Sequence, residues 1–301
     1  MRISEIIRQD IQKSHGDKSE DWLSDIYGRI EKYAELWELS QLAFMETDTD
    51  CPLFSCDSAV HGACIFKICL TEPEFETGVN CLRVYDGTAY VKLYAYDLTD
   101  YVVLLERVTP GNQMWDVEDF RERARLFAEI VKDLPILWDG YGKFPTYRMQ
   151  MEDLRITLID LGDREKALFY LDEALRIYDE LKQNYNRKYM LHGDLHQYNI
   201  LLNSKGGYTI IDPKGVVDDP VMETARYLMN ESPCGAEKIR EIISIISSII
   251  GIPKEDITKS MFIDAALGQC WNLDKPFSNQ SDFAEQMREV LEICGFAYGL
   301  L

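Results

Sequence analysis

The chain has 301 residues, of which 46 % are hydrophobic and 28 % are charged. This length and composition predict a folded protein of one large domain or two lobes, and they exclude an intrinsically disordered chain. The formal net charge is −20, which disfavours nucleic-acid binders because those normally present a basic face. The acidic excess would favour a cationic small-molecule partner, although acidic residues also simply keep a protein soluble.

The first residues form a charged, amphipathic segment without the apolar core of a signal peptide. The longest apolar stretch, around 242–252, is too short to span a bilayer, so we expect a soluble, cytoplasmic protein. The eight cysteines include no C-x-x-C pair and no zinc-ribbon spacing. Five of them lie between Cys51 and Cys81, and we expect buried reduced thiols rather than disulfide or metal sites.

Apolar periodicity and turn residues predict the elements in chain order. Helices come first, a strand-rich segment with one helix follows, and the rest is mainly helical. The predicted elements are helices at 3–13 and 20–39, strands at 42–45, 53–58 and 63–70, a helix from about 74 to 85, strands at 89–96 and 102–106, helices at 117–132 and 165–181, short apolar runs at 189–192, 200–203 and 208–212, and helices at 222–229, 236–249, 257–270 and 282–293.

The element order β-β-β-α-β-β followed by helices predicts a fold of the α+β class with two lobes. A small antiparallel sheet would form the first lobe, and the second would be larger and mostly helical. The joint falls near 107–111, beside Pro110 and Gly111. We therefore expect the N-terminal helices and sheet lobe in residues 1–108 and the helical lobe in residues 109–301.

The most informative stretch reads His-Gly-Asp-Leu-His-Gln-Tyr-Asn over residues 192–199. Phosphoryl transfer needs a carboxylate that accepts the proton of the attacking hydroxyl, and hard oxygen ligands for Mg²⁺. Asp194 and Asn199 are five residues apart, which is the spacing of a kinase catalytic loop. The pattern predicts Asp194 as the base and Asn199 as a metal ligand. Taken alone, His-Gly-Asp is a weak signal that also fits a loop with solvated polar side chains.

A second carboxylate follows at a suitable place. Asp212 begins an Asp-Pro-Lys-Gly sequence just after the apolar run 208–211, and turn residues at 203–207 predict a hairpin before it. A hairpin of this length would return Asp212 to the neighbourhood of Asn199, as a shared Mg²⁺ site requires. The combination therefore indicates a phosphotransfer site with Asn199 and Asp212 as metal ligands.

With these motifs the chain resembles the aminoglycoside phosphotransferase family, which has a protein-kinase-like fold. The loop H-G-D-L-H-Q-Y-N-I-L matches the family's catalytic loop nearly letter for letter. The continuation I-D-P-K-G-V-V-D-D-P is similar to one branch, the streptomycin 6-kinase or aminoglycoside/hydroxyurea resistance kinase group. The segments 104–107 with Pro110-Gly111, and 82–87, are further similarities, so that the resemblance covers about residues 35–300.

The resemblance implies a bilobal protein-kinase-like fold and a Mg²⁺-dependent enzyme. Its reaction would move the γ-phosphoryl group of ATP or GTP to a hydroxyl of a small, cationic molecule, an aminoglycoside such as streptomycin. A kinase for another small alcohol or metabolite is an alternative within the same class. A nucleotide-binding pseudo-kinase is an alternative from a different class.

Carried over residue by residue, the resemblance makes Asp194 the catalytic base and lets His192 brace the loop from behind. The backbone from Glu106 to Val108 would be the hinge that binds adenine. Lys67 would pair with the α- and β-phosphates, and a lysine among apolar strand residues does need a partner for its charge. Lys214 would meet a phosphate or the substrate. A solvent-facing edge-strand lysine at 67 and an exposed lysine at 214 are the alternatives.

Two features depart from the family pattern. Kinases pair the strand lysine with a glutamate on the next helix, and this chain has Gly78 at that position. Glu76, with Glu74 nearby, is the candidate replacement, although two residues along a helix turn a side chain by roughly 200°. The loop 46–50 has three carboxylates and no glycine, whereas a phosphate cradle favours backbone amides.

The acceptor site is the least defined part of the prediction. The resemblance places the acceptor on the helical lobe, where carboxylates would meet a cationic aminoglycoside and an aromatic ring would form a wall. Each candidate also fits an ordinary surface residue or, for the tryptophan, core packing. The candidates are Asp218, Asp219, Glu223, Asp274 and Glu285, with Trp271 as the wall.

Overall fold

A computed structural model of the protein describes residues 5, 8–9, 11–12, 18–46, 51–70, 74–162, 164–232, 235–273 and 280–301. The chain forms two compact units, Met1–Asn112 with Leu201–Ile211, and Gln113–Ile200 with Asp212–Leu301. The first unit thus extends beyond residue 108 and takes up a hairpin from later in the sequence. Within the described ranges, every helix is too short or too polar to cross a membrane.

The first unit contains a five-stranded antiparallel sheet with the strand order β1-β2-β3-β5-β4. A helix, α1, precedes the sheet, and a second helix, α2, lies between β3 and β4, so the predicted order β-β-β-α-β-β is confirmed. The elements are α1 (Lys18–Leu36), β1 (Leu39–Met45), β2 (Leu53–Ser58), β3 (Gly62–Ile68), α2 (Phe75–Tyr85), β4 (Leu93–Asp97) and β5 (Val102–Glu106).

Helix α1 covers one face of this sheet because its apolar residues recur at helical spacing. Trp22, Ile26, Ile30 and Tyr33 are buried in one cluster with the sheet residues Phe54 and Phe66. The helix was predicted to continue to residue 39, but it ends at Leu36. Glu38 adopts a left-handed φ of 52°, which ends the helix and starts strand β1 at Leu39.

The predicted hairpin forms a second sheet. Strand β6 (Pro110–Gln113) pairs with β9 (Ile200–Asn203), which pairs with β10 (Tyr208–Ile210). The side chain of Asn203 closes the turn, because its Oδ1 accepts hydrogen bonds from the backbone N–H groups of Lys205 and Gly207. The chain therefore returns directly from the end of one functional motif to the beginning of the other.

The second unit is built from helices around one apolar core, with a small sheet of strand order β11-β8-β7. The predicted helical character of this part is confirmed. Its elements are α3 (Phe120–Asp133), β7 (Ile136–Leu137), α4 (Tyr147–Leu161), α5 (Glu165–Leu181), β8 (Tyr189–Leu191), β11 (Val216–Asp218), α6 (Ala225–Glu231), α7 (Ala236–Ile250), α8 (Lys254–Trp271) and α9 (Gln280–Tyr298).

Helix α4 is an element that the sequence analysis did not predict. Its buried residues Tyr147, Met151, Leu154 and Leu158 follow helical spacing, and Thr146 caps it by accepting a hydrogen bond from the backbone N–H of Met149. Exposed Ile156 and Ile159 add apolar residues to the outer side of the helix and blur the amphipathic pattern. The side of helix α4 that packs against α5 and α8 is the side that becomes buried.

The expectation that all cysteines are reduced thiols is wrong for one pair. Cys51 and Cys69 form a disulfide, with Cα atoms 4.6 Å apart. The pairing of Leu53 with Lys67 in the β2–β3 ladder places residues 51 and 69 opposite each other where the two strands end. The remaining described cysteines are buried reduced thiols as predicted: Cys56, Cys64, Cys81, Cys270 and Cys294.

We predict that reduction of this disulfide lowers the free energy of unfolding by about 2–4 kcal/mol, because the bridge shortens the unfolded chain across 18 residues. Denaturant unfolding with and without reductant measures the change. The Cys51→Ser/Cys69→Ser variant is the control, since reductant should then change nothing. A thiol titration of the unreduced, unfolded protein that finds all eight cysteines free would contradict the prediction.

Candidate active site

The catalytic-loop sequence follows strand β8 and ends in a 3₁₀ helix at Gln197–Asn199. Buried His192 accepts, through Nδ1, a hydrogen bond of 3.1 Å from the backbone N–H of Asp194. Asn199 donates from Nδ2 to the backbone carbonyl of Asp194 at 3.1 Å. The amide nitrogen of Asn199 thus closes the loop, and the side-chain oxygen lies on the other arm of the amide.

The Asp-Pro-Lys-Gly segment lies directly against this loop. The carbonyl oxygen of His192 accepts hydrogen bonds from the backbone N–H groups of Lys214 at 2.8 Å and Gly215 at 3.0 Å. Gly193 has a φ of 82°, and a Cβ there would lie 2.7 Å from Cγ2 of Val216. The close approach requires glycine, so the glycine of the His-Gly-Asp motif is what brings the two segments together.

Asp212 has a left-handed φ of 58°, which is uncommon for a residue with a side chain. Such backbone conformations cluster at functional sites, where the surrounding structure holds them. The charges of Asp212 and Lys214 both act on His196, which places all three in one neighbourhood. Burial lowers the pKa of His196 and outweighs the carboxylates of Asp194 and Asp212, so this histidine is neutral at physiological pH.

The donor set at these residues fits Mg²⁺ bound together with a polyphosphate. Asn199 and Asp212 offer hard oxygen donors, which Mg²⁺ prefers, and it commonly takes only one or two carboxylates and completes its shell with phosphates and water. Among the described residues, no cluster of three or more His, Cys, Asp or Glu side chains could hold a metal ion by itself.

Glu223 was predicted as an acceptor ligand, but its surroundings give it another role. The carboxylate is buried, and both of its oxygens accept from the backbone N–H of His192, at 3.2 and 3.0 Å. The backbone N–H of Gly193 is a further donor. Burial raises the pKa of Glu223 to about 8, although these hydrogen bonds act in the opposite direction. Glu223 anchors the catalytic loop and is too enclosed to meet a substrate.

Asp218 and Asp219, the next two predicted acceptor ligands, are buried and serve the interior. Asp218 accepts hydrogen bonds of 2.8 Å from both Tyr178 and Lys182. Asp219 forms an ion pair with Arg187 at 3.0 Å. Because both carboxylates are buried and already paired with cations, they link helix α5 and the segment before β8 to the end of strand β11 and do not form a cationic-substrate site.

The other acceptor candidates remain open. Trp271 is the last residue of helix α8, and Asp274 lies outside the described residues. Glu285 is exposed on helix α9. The role of Glu285 as an acceptor ligand stays a prediction.

The predicted nucleotide-binding residues of the first unit lie on strand β3 and at the end of strand β5. Lys67 is only 8 % exposed and sits between Phe66 and Ile68, so the alternative of a solvent-facing lysine is not met. The backbone N–H of Glu106 donates to the carbonyl of Lys92 at 2.9 Å, which commits it to the strand ladder. The carbonyl of Glu106 and the N–H of Val108 are the backbone groups that a hinge would use.

Glu76 does not meet its prediction as the partner of Lys67. It lies in the first turn of helix α2, its side chain is exposed, and within the described parts of the chain it forms no ion pair. The buried face of the helix carries Phe75, Gly78, Val79 and Leu82, which turns position 76 towards solvent. The acidic loop 46–50 was the other departure, and its residues 47–50 lie outside the described residues.

Two ion pairs that the sequence analysis missed support the loop 192–199. Arg226 on helix α6 lies 3.5 Å from Asp194, measured from Nε to Oδ1, and it forms a second ion pair with Asp264 on helix α8. A second buried pair, Arg123 with Glu231, holds Gln197 of the loop through a hydrogen bond of 2.7 Å. No motif marks these residues, because each partner comes from a different helix.

A catalytic loop of this form, an antiparallel-sheet first unit and a helical second unit define a protein-kinase-like phosphotransferase. The sequence model of the aminoglycoside/hydroxyurea antibiotic resistance kinases matches residues 51–275, and the chain belongs to this family. The family prediction and the fold-class prediction are thereby confirmed.

Individual relatives are distant. The chain is 21 % identical over 288 residues to streptomycin 6-kinase of Streptomyces griseus. The aligned region covers 93 % of this chain and 90 % of the relative. It is 23 % identical over 251 residues to hydroxyurea phosphotransferase of Kitasatospora aureofaciens. This alignment covers 80 % of this chain and 71 % of the relative.

Solved structures share the fold at lower identity. A choline kinase from Streptococcus pneumoniae gives a TM-score of 0.65 at 14 % identity and covers 90 % of this chain and 99 % of its own. A thermostable mutant of the aminoglycoside phosphotransferase APH(4)-Ia, in a ternary complex with ADP and hygromycin B, gives 0.61 at 12 % identity, with 89 % and 96 % covered. These likenesses establish the fold and leave the substrate open.

We predict that Glu223→Gln makes stability less dependent on pH. The folded protein holds a proton on Glu223 between its ordinary pKa of 4.5 and about 8, so stability is highest below this window and falls as pH rises through it. The glutamine variant lacks this titration. The wild type should therefore lose melting temperature relative to the variant as the pH is raised through this window.

Thermal unfolding at a series of pH values measures the difference. Glu285→Gln, at an exposed position, is the matched control and should run parallel to the wild type. Parallel curves for Glu223→Gln as well would show that Glu223 is ionised in the folded protein throughout the range.

Proposed function

We propose that this protein transfers the γ-phosphoryl group of ATP or GTP to a hydroxyl of a small molecule, in a Mg²⁺-dependent reaction. The observation that carries the proposal is the direct attachment of the loop 192–199 to the segment 212–215 through His192. This attachment supports the proposal because Asp194, Asn199 and Asp212 belong to two segments that are hydrogen-bonded to each other. All three side chains are present, which disfavours a pseudo-kinase.

In the proposed reaction, Asp194 accepts the proton of the acceptor hydroxyl while the hydroxyl oxygen forms a bond to the γ-phosphorus. The bond between the γ-phosphorus and the bridging oxygen breaks, and the nucleoside diphosphate leaves with the electron pair. Mg²⁺ would supply positive charge that offsets the negative charge of the phosphates. Asn199 and Asp212 would hold it, and His192 would keep Asp194 in place through the backbone.

The nucleotide roles in the first unit rest on the same proposal. Lys67 would pair with the α- and β-phosphates, and its burial among apolar residues supports a lasting partner for the charge. The carbonyl of Glu106 and the N–H of Val108 would bind the base. Lys214 lies close enough to His196 to affect its pKa, which is consistent with a role near the phosphates.

An aminoglycoside such as streptomycin is the acceptor that the family and the net charge of −20 support best. The burial of Asp218, Asp219 and Glu223 favours a second candidate, however. Three of the carboxylates predicted to receive a polycation are committed to the interior, so a small acceptor with less charge, of the hydroxyurea type, is the alternative.

A phosphoryl-transfer assay tests the proposal directly. Purified protein is incubated with Mg²⁺ and ATP or GTP against a panel of aminoglycosides, hydroxyurea and small alcohols, and phosphorylated product is detected by mass spectrometry. Product from an aminoglycoside supports the first candidate, and product from hydroxyurea alone supports the second. Absence of product with every acceptor would contradict the proposed function.

We predict that Asp194→Ala lowers kcat by about 10²- to 10⁴-fold, the usual contribution of a general base. Nucleotide affinity should stay within about twofold, because Asp194 acts on the acceptor and not on the phosphates. Asp160→Ala, at an exposed position on helix α4, is the matched control and should keep full activity. A kcat in Asp194→Ala that equals the wild-type kcat would remove this residue from the base role.

We predict that Asp212→Asn weakens nucleotide binding at least about tenfold in the presence of Mg²⁺, because a metal ligand loses its charge. With a chelator instead of Mg²⁺, wild type and variant should bind nucleotide equally. Titration calorimetry under both conditions measures the effect. A loss of affinity of equal size with the chelator would assign Asp212 to folding rather than to the metal.

A further inference from the structure

Two ion pairs in series connect Asp194 to the protein interior. Arg226 lies with Nε 3.5 Å from Oδ1 of Asp194. The same guanidinium binds Asp264, with 3.0 Å from Nε to Oδ2 and 3.2 Å from a terminal nitrogen to Oδ1. One arginine therefore connects the proposed base to a carboxylate on helix α8.

Asp264, at the inner end of this series, is buried, whereas Asp194, at the outer end, is partly exposed. The side chain of Asp264 is 1 % exposed, whereas those of Arg226 and Asp194 are 27 % and 24 % exposed. Burial raises the pKa of Asp264, and the charge of Arg226 and a hydrogen bond from Tyr147 oppose this. Removing a buried carboxylate's cation is costly, so Asp264 keeps the guanidinium in place.

Helix α8 also provides the space for the guanidinium. Gly268 lies one turn after Asp264 on the same helix face. A Cβ at this glycine would be 3.1 Å from a terminal nitrogen of Arg226. Carboxylate and gap together form a seat for a planar guanidinium, which limits the conformations open to Arg226.

The two oxygens of Asp194 have different neighbours. Oδ1 faces Arg226, and Oδ2 lies 3.8 Å from Nε2 of His196. In the described structure the buried Nε–H of Arg226 makes no hydrogen bond, although both carboxylates are close. A small rotation of Asp194 would complete this bond, and catalytic hydrogen bonds are often long before substrate binds.

We propose that Arg226 is a positioning residue, seated by Asp264, that holds Oδ1 of Asp194 and leaves Oδ2 to receive the proton of the acceptor hydroxyl. The inference rests on the proposed function, since it assigns a role relative to Asp194 as base.

Steady-state kinetics of Arg226→Ala and Arg226→Lys test the inference. In Arg226→Ala, we expect kcat to fall about 100-fold, the cost of a misplaced catalytic group. The KM of the acceptor and the affinity for nucleotide should stay within about threefold, because only the orientation of the base changes. Lysine supplies charge without the planar fork and should recover only about tenfold of the loss.

Chemical rescue separates positioning from general loss of structure. Methylguanidinium added to Arg226→Ala should restore part of kcat, whereas methylammonium should restore less. Arg164→Gln is the matched control, because this buried arginine of the same unit donates to the carbonyl oxygens of Gly162 and Leu273. It should lower the melting temperature and leave kcat unchanged.

A double-mutant cycle tests the seat. If Asp264 acts through Arg226, Asp264→Asn should lower kcat in the wild type and add less than about twofold in the Arg226→Ala background. Two results would overturn the inference and leave the proposed function intact. One is a kcat of Arg226→Ala equal to that of the wild type. The other is a loss of kcat in Arg164→Gln as large as the loss in Arg226→Ala. An inactive wild type across the acceptor panel would overturn both.

Discussion

The geometry of the candidate site depends on the hydrogen bonds of His192. Its carbonyl oxygen receives Lys214 and Gly215, its ring nitrogen receives the N–H of Asp194, and its own N–H binds buried Glu223. An exposed loop held by so few contacts would sample many conformations, and ordering it costs about 1–2 kcal/mol per residue. Because this residue is buried, these bonds do not compete with water, and they fix two separate segments at one place.

The electrostatics around Asp194 follow from this arrangement. A protein with an excess of acidic residues could be expected to surround its substrate with free carboxylates. Here the buried carboxylates are each met by a cation or by backbone N–H groups, as the cost of burying an unpaired charge requires. If the acceptor is cationic, as proposed, exposed residues would supply the negative field that attracts it, because the buried carboxylates are already paired. The guanidinium of Arg226 lies beside Asp194.

The first unit shows how far a motif can be carried over from a family. Lys67 is buried on its strand, while the helix that the family pattern expects to supply its glutamate presents Gly78 inwards and Glu76 outwards. A shift of two residues on a helix reverses the direction of a side chain, so proximity in sequence did not provide the pair. The β2–β3 register, by contrast, produced a pair that the sequence analysis did not predict. It places Cys51 opposite Cys69, and the two residues form a disulfide.

The sequence by itself determined the class of protein and the order of strands and helices in the first unit, and it predicted the central residues of the candidate site. Asp194 and Asn199 lie in one short loop, and a single hairpin leads from there to Asp212, so local chain geometry suffices to relate them. Only the tertiary structure decided the roles of Glu223, Asp218 and Asp219, because burial depends on which helices pack over them. It also decided the contact of Arg226 with Asp264, which are 38 residues apart, since ion pairs between helices follow from packing and leave no periodic trace in the sequence.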